Sequence, residues 1–327
     1  MAGAIRTVAL VGTGVIGAGW AARFLFNGID VIATDPAGDA PGRLRESVEN
    51  AWPSLTALFP NSPPKGRLQF EQDLVNAVGR ADFVQENAPE NEDLKRGLLA
   101  EISENTGPDV PIASSSSGLL PSRLQADAIG PERVLIGHPF NPVYLLPLVE
   151  TLGGERTDPA VLDRAEAFYT GIGMHSLRVR REIEGYISDR LQEAMWREIL
   201  HMVKDGVATT DEIDRAITYG PGLRWAGMGT CLTFHLAGGD GGMRHMLEHF
   251  GPALELPWTH VKAPELTPTL IERMADGCST QAGDRSITEL EQQRDAYLIA
   301  VLKALRETGV GAGKTLLDHE ARLARNG

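Results

Sequence analysis

A histidine, a glutamate twelve residues after it, a run of four serines and a glycine-rich turn are the places where this 327-residue chain could do chemistry. His138 closes the apolar run Val134-Leu-Ile-Gly137 and precedes Pro139-Phe-Asn-Pro142. Imidazole is the usual base for taking a proton from an alcohol, because it titrates near neutrality. Glu150 ends a second apolar run, Leu146-Pro-Leu-Val149, and a turn at Asn141-Pro142 could bring its carboxylate back to the ring. Such a pair fixes the tautomer of the base and stabilises the imidazolium that forms. The same spacing also suits a core histidine with an edge carboxylate. Ser114-Ser-Ser-Ser117-Gly118 follows the run Pro111–Ala113. Its hydroxyls could bond a substrate hydroxyl or a nicotinamide amide, or form no more than a flexible turn.

The glycine-rich turn has more context. The apolar run Ile5–Val11 leads into Gly12-Thr13-Gly14-Val15-Ile16-Gly17, the G-x-G-x-x-G spacing, and a helical pattern follows. The first glycine makes a tight turn, the second lets backbone approach a pyrophosphate, and the third lets the helix pack close. The amides at the helix start then hold the phosphates. Asp35 lies eighteen residues past Gly17, at the end of the next strand-like run. A carboxylate there bonds ribose hydroxyls and repels a 2′-phosphate. Pro36-Ala-Gly38 supplies no arginine to receive one, so NAD is expected rather than NADP. FAD, which uses a similar fingerprint, is the rival. Two other patterns are decoys. Gly311-Ala-Gly313-Lys314-Thr315 has Thr308 where a phosphate loop needs its first glycine, and His245-Met-Leu-Glu248-His249 reads as a charged helix face rather than a zinc site. No metal is expected.

These residues need elements to position them. Apolar runs at Ile5–Val11, Asp30–Thr34, Asp82–Gln85, Pro111–Ala113, Val134–Gly137, Leu146–Glu150 and His175–Val179 alternate with helical patterns at Val15–Asn27, Leu44–Leu58, Asn91–Asn105 and Pro159–Tyr169. Alternation of this kind predicts a doubly wound parallel sheet, with ligands at the carboxyl ends of the strands. Phe59–Gly66 reads as an exposed break. After Glu182 only helical patterns remain: Ile187–Lys204, Thr210–Thr218, Gly227–Leu236, Gly241–Phe250 and Ser286–Glu307, with a capped start at Thr209. The expected architecture is α/β: a Rossmann-type domain over residues 1–182, followed by an all-α domain over 183–327.

Composition narrows the class. Forty-four acidic against 31 basic residues give a net charge of -13, which argues against a nucleic-acid partner and is compatible with a cationic small molecule. Cys231 and Cys278 have no metal spacing and form no disulfide framework, pointing to a reducing compartment. With no signal-like start and no long apolar stretch, a soluble cytoplasmic protein without a membrane partner is expected.

Over essentially its whole length the chain resembles the 3-hydroxyacyl-CoA dehydrogenase family. That family's A-S-N-T-S and H-F-F-N-P-V motifs are similar to Ala113-Ser-Ser-Ser-Ser117 and His138-Pro-Phe-Asn-Pro-Val143, and its glutamate twelve residues on matches Glu150. The resemblance implies that Ser117 binds the substrate hydroxyl, His138 is the general acid/base and Glu150 orients it. It also implies that Glu90, Lys95 and Asn141 contact NAD, and that the helical domain forms a homodimer. One departure is chemical. Where the family reads G-F-x-x-N-R, this chain has Gly185-Tyr-Ile-Ser-Asp189-Arg190. An added carboxylate in the catalytic group disfavours an anionic substrate and favours a cation. Only Lys65 and Arg67 are available near Phe59–Arg67 for a CoA phosphate tail. Gly17–Gly28, His138–Pro147, Gly222–Thr230 and Phe234–Met243 resemble the family's carnitine-oxidising branch. That implies oxidation of the 3-hydroxyl of L-carnitine to 3-dehydrocarnitine with reduction of NAD. Asp189 with rings such as Trp196, Trp225 and Phe234 would hold the quaternary ammonium. The alternatives are an L-gulonate 3-dehydrogenase, a 3-hydroxybutyryl-CoA dehydrogenase, or a non-catalytic NAD-binding sensor or crystallin-like protein.

Overall fold

The computed structural model describes residues 5–58, 64–225, 228–259 and 267–309. The chain divides into two compact units, residues 1–192 and 193–327.

The first unit is built on an eight-stranded sheet. Its strands are β1 (Thr7–Val11), β2 (Asp30–Thr34), β3 (Leu68–Phe70), β4 (Phe83–Glu86), β5 (Ile112–Ser114), β6 (Val134–Pro139), β7 (Leu148–Gly153) and β8 (His175–Arg178), in spatial order β3-β2-β1-β4-β5-β6-β7-β8. The helices between them are α1 (Val15–Phe26), α2 (Ala40–Leu58), α3 (Leu74–Val78), α4 (Glu92–Asn105), α5 (Pro121–Leu124) and α6 (Pro159–Gly171). Successive strand residues face opposite sides, so β1 sends Val8 and Leu10 into one core and Ala9 and Val11 into another. The first core takes Trp20 and Phe24 of α1, Leu44 and Leu55 of α2, and Tyr169 of α6. The second takes Leu99 and Ile102 of α4 and Leu124 of α5. Apolar cover on both faces explains why the inner strands read as near-continuous apolar runs.

The sheet is not wholly parallel. β7 runs antiparallel to β6, with His138 paired to Glu150, whereas every other neighbouring pair is parallel. The segment from Phe140 to Pro147 that joins them is too short for a crossover helix, so the chain must turn straight back. β3, which the sequence patterns did not reveal, is an edge strand of three residues.

The first unit also takes in the start of α7 (Ser188–Lys204). Just before that helix, Tyr186 is buried in the second core with Val179 and Ile183 beside it. The second unit holds α8 (Thr210–Thr218), α9 (Pro221–Trp225), α10 (Thr230–Ala237), α11 (Gly242–Phe250), α12 (Pro268–Ala282) and α13 (Ile287–Thr308). Its small core gathers Met228, Leu236, Ala282 and Leu290. Thr209 caps α8 through a reciprocal pair with Glu212. The Gly311–Thr315 pattern and residues 59–63 of the expected break lie outside the described residues. Among the described residues, no helix is long and apolar enough to cross a membrane.

Candidate active site

At the carboxyl end of β1, Gly12 adopts φ +88°, and its amide donates to the Thr34 carbonyl at 2.9 Å. A Cβ at Gly12 would lie 2.8 Å from the Asn87 carbonyl, and one at Gly17 only 2.1 Å from the carbonyl oxygen of Gly12. Both glycines are therefore required for packing. Gly14 differs, because it is exposed and a Cβ there would meet nothing within 4 Å. It stands at the N-cap of α1, where no side chain caps the free amides. An open glycine before an uncapped helix start leaves room for a pyrophosphate, and the donor chemistry suits one. Thr13 is buried, Val15 exposed and Ile16 partly buried in the same turn. Asp35 closes the loop from the next strand: it accepts from the Thr13 amide (2.8 Å) and hydroxyl (3.0 Å), and from the Ala37 amide (3.0 Å). Burial pushes its pKa up, but these hydrogen bonds outweigh burial and hold it below the usual carboxylate value.

The serine turn follows β5. Glu90 ties it down, accepting from the Ser116 hydroxyl and from the amides of Ser117 (3.0 Å) and Gly118 (3.2 Å). Ser117 is exposed, and its hydroxyl has no hydrogen-bond partner among the described residues. Lys95 is only 1% exposed; its ammonium lies 2.9 Å from Glu86 and 3.8 Å from Glu90. Glu86 also accepts from the Ser114 hydroxyl. The buried Glu86–Lys95 pair thus anchors one end of the serine turn and Glu90 the other.

The candidate acid/base pair forms on the β6–β7 hairpin. His138 and Glu150 face each other in register, and His138 Nδ1 lies 3.0 Å from Glu150 Oε2. Glu150 is wholly buried. Burial favours its neutral form, but the His138 hydrogen bond, the amides of Ser188 and Ile187 and the charge of the ring prevail, and its pKa falls below the usual value. An ionised carboxylate only accepts, so Nδ1 must donate to it, and in the neutral imidazole Nε2 is the nitrogen left with the lone pair. The other oxygen, Oε1, accepts from the amides of Ile187 (3.1 Å) and Ser188 (3.0 Å). One carboxylate therefore sets the imidazole and caps the start of α7. The first turn of that helix carries Asp189, whose Oδ2 lies 3.6 Å from His138 Nε2. That is too long for a hydrogen bond but close for a charge.

Tyr186 joins the pieces. It is buried with φ +45°, the one non-glycine residue with positive φ among the described residues. Its ring stands edge-on to His138 at 5.5 Å, and its hydroxyl donates to the Leu119 carbonyl at 2.8 Å, just past the serine turn. Burial, together with the carboxylates of Glu90, Glu150 and Asp189, raises its pKa despite a hydrogen bond to Ser116, so it stays a phenol.

The structure thus brings His138, Glu150 and Asp189 together and sets the serine turn at the end of the strand next to β6. Asn141 is exposed in the hairpin connection. Trp196, Trp225 and Phe234 belong to the second unit, where all three rings are exposed. Sequence reasoning missed Glu86 and Tyr186. Glu86 carried one signal, a charge at the end of an otherwise buried strand. His245 and His249 stack on α11 at 5.5 Å, and no group of three or more metal-binding side chains occurs among the described residues.

Comparison with known proteins gives two family matches, the NAD binding domain of 3-hydroxyacyl-CoA dehydrogenase over residues 7–183 and the C-terminal domain of the same enzyme over residues 185–283. An L-carnitine dehydrogenase of Bacillus cereus is 56% identical over 309 residues, covering 94% of this chain and 95% of the relative. An L-carnitine dehydrogenase of Pseudomonas aeruginosa is 57% identical over 306 residues, covering 93% and 95%. Among solved structures, a 5-formyl-3-hydroxy-2-methylpyridine 4-carboxylic acid 5-dehydrogenase, described as an NAD+-dependent dismutase, matches with a TM-score of 0.73 at 28% identity, covering 92% of this chain and 99% of that one.

Proposed function

Because the chain belongs to the 3-hydroxyacyl-CoA dehydrogenase family, we propose that it is an NAD-dependent dehydrogenase that oxidises the 3-hydroxyl of L-carnitine to 3-dehydrocarnitine. The observation that carries this reading is Asp189 set 3.6 Å from the free nitrogen of a carboxylate-anchored imidazole. In L-carnitine the ammonium nitrogen is three bonds from the hydroxyl oxygen. A carboxylate beside the base is therefore where the cation of a substrate would arrive when its hydroxyl meets His138. Relatives more than half identical over most of both chains carry the same activity in their names.

The residues divide the work. Gly12–Gly17 and Asp35 would hold the cofactor, with Glu90 and Asn141 bordering it and Lys95 buried behind Glu90. The Ser117 hydroxyl bonds the substrate hydroxyl. His138 Nε2 takes the hydroxyl proton, and Glu150 stabilises the imidazolium that results. Bound NAD would supply the acceptor for the hydride that leaves the carbinol carbon. Asp189 balances the ammonium throughout. A CoA ester fits less well: Lys65 lies over the Trp52 ring at 4.2 Å and Arg67 pairs with Asp30 at 2.6 Å, so both nearby cations are engaged. In the same reading the enzyme is cytoplasmic and a homodimer. Dimerisation is supported by α7, none of whose residues is buried, although Leu191, Met195, Trp196, Leu200 and Val203 lie along it.

The test is a panel of L-carnitine, L-gulonate, 3-hydroxybutyrate and its CoA ester, each with NAD, read by NADH fluorescence. Turnover should be fastest with L-carnitine. Preference for the CoA ester or gulonate would overturn the substrate reading. Tight NAD binding with no turnover on any of the four would favour a sensor or structural role.

A further inference from the structure

Behind the candidate site lies a buried polar network that the proposed chemistry does not use. Gln85 of β4 is wholly buried. Its Nε2 donates to Ser115 Oγ (2.8 Å) and to the Gly137 carbonyl (3.2 Å), and its Oε1 accepts from the Tyr169 hydroxyl (2.6 Å). Ser115 Oγ accepts from the Trp20 indole (3.1 Å) and donates to Asn87 Oδ1 (2.7 Å). Asn87 Nδ2 returns to the carbonyl of Gln85 at 2.9 Å. The assignments support one another: the Gly137 carbonyl can only accept, so the amide nitrogen of Gln85 faces it and Ser115, which leaves the amide oxygen to accept from the Tyr169 hydroxyl.

Gly137 makes room for this arrangement. A Cβ there would fall 2.1 Å from the Tyr169 hydroxyl oxygen. The carbonyl that Gln85 grips belongs to the peptide unit whose N–H is that of His138. Fixing this plane fixes the direction in which the imidazole leaves the strand. Ser115, gripped by the same amide, lies two residues before Ser117. A buried amide is a demanding choice for a core strand, because each unmatched group would destabilise the fold, whereas an apolar side chain would carry no such requirement.

We infer that Gln85 is a positioning residue: it locks the serine turn and the peptide before His138 into one register, so that base and hydroxyl-binding group meet the substrate together. This rests on the reading of His138 as the base.

The experiment compares Gln85→Met, which keeps the length of the side chain, with the pair Gln85→Met and Tyr169→Phe, which also removes the phenol left without an acceptor. Expected for the single variant are a lower Tm, unaltered NAD affinity and a kcat on L-carnitine reduced about tenfold to a hundredfold, the scale of a small misplacement of a reacting group. In the double variant Tm should recover while kcat stays low. The imidazole N–H resonance of His138, identified by its loss in His138→Ala, should move in both. The inference is overturned if kcat is unchanged, if it recovers together with Tm, or if the resonance stays in place. Retained turnover in His138→Ala would instead remove the histidine from the base role, whatever Gln85 does.

Discussion

Glu150 takes one hydrogen bond from an imidazole on one oxygen and two from backbone amides on the other. These bonds lower its folded pKa below the ordinary 4.5 even though burial opposes them. A carboxylate depressed in this way stabilises the fold above its unfolded pKa, and that contribution disappears as the pH falls through the folded value. The Tm advantage of the parent over Glu150→Gln should therefore be constant above about pH 4.5 and shrink below it. A gap that persists in acid would show that the carboxylate's charge is not what stabilises the hairpin. Asp189 makes a separate prediction. With Asp189→Asn, KM for L-carnitine should rise roughly 10-fold, equivalent to about 1.4 kcal/mol, while KM for uncharged 3-hydroxy substrates stays level or falls. Equal losses on charged and neutral substrates would remove Asp189 from recognition of the cation.

Among elements, the glycine turn offers the sharpest contrast. Gly17→Ala would force a Cβ to within 2.1 Å of a carbonyl oxygen, so it should lower Tm. Gly14→Ala meets nothing within 4 Å, so it should leave Tm unchanged and weaken NAD binding alone, as calorimetry would read. A Gly14→Ala protein that binds NAD as tightly as its parent would mean that this turn does not cradle a pyrophosphate. The glycine turn was legible in the sequence because backbone geometry demands glycine there; Asp35 reads from the sequence as a ribose contact, and its hydrogen bonds to Thr13 carry no sequence signal. The pairing of His138 with Glu150 was left open by the sequence, where the spacing suited a core histidine and an edge carboxylate equally. A turn at Asn141-Pro142 already implied the antiparallel return, although an apolar run by itself carries no direction, and the short connection Phe140–Pro147 excluded a crossover. β3 is too short to produce a pattern. Tyr186 looks like an ordinary core residue until its +45° backbone is seen, and Gln85, a polar side chain at the end of an apolar run, names no partner until the strands are placed. Trp196, Trp225 and Phe234 were chosen for aromatic chemistry alone, which fixes no position.

At the scale of the whole molecule, α7 presents an apolar face with none of its residues buried. A dimer through this face should sediment at twice the monomer mass, and Leu200→Lys should shift it to monomer with the first unit's NAD affinity retained. A parent protein that sediments as a monomer at assay concentrations would end that reading. The division of labour at Glu150 reaches further. Its grip on α7 is made through the amides of Ile187 and Ser188, not through any side chain. The backbone at the start of α7, and with it position 189, is thus held beside His138 by main-chain amides. On the proposed reading, a single codon change at 189 would alter which alcohol is accepted while leaving His138 and Glu150 in place.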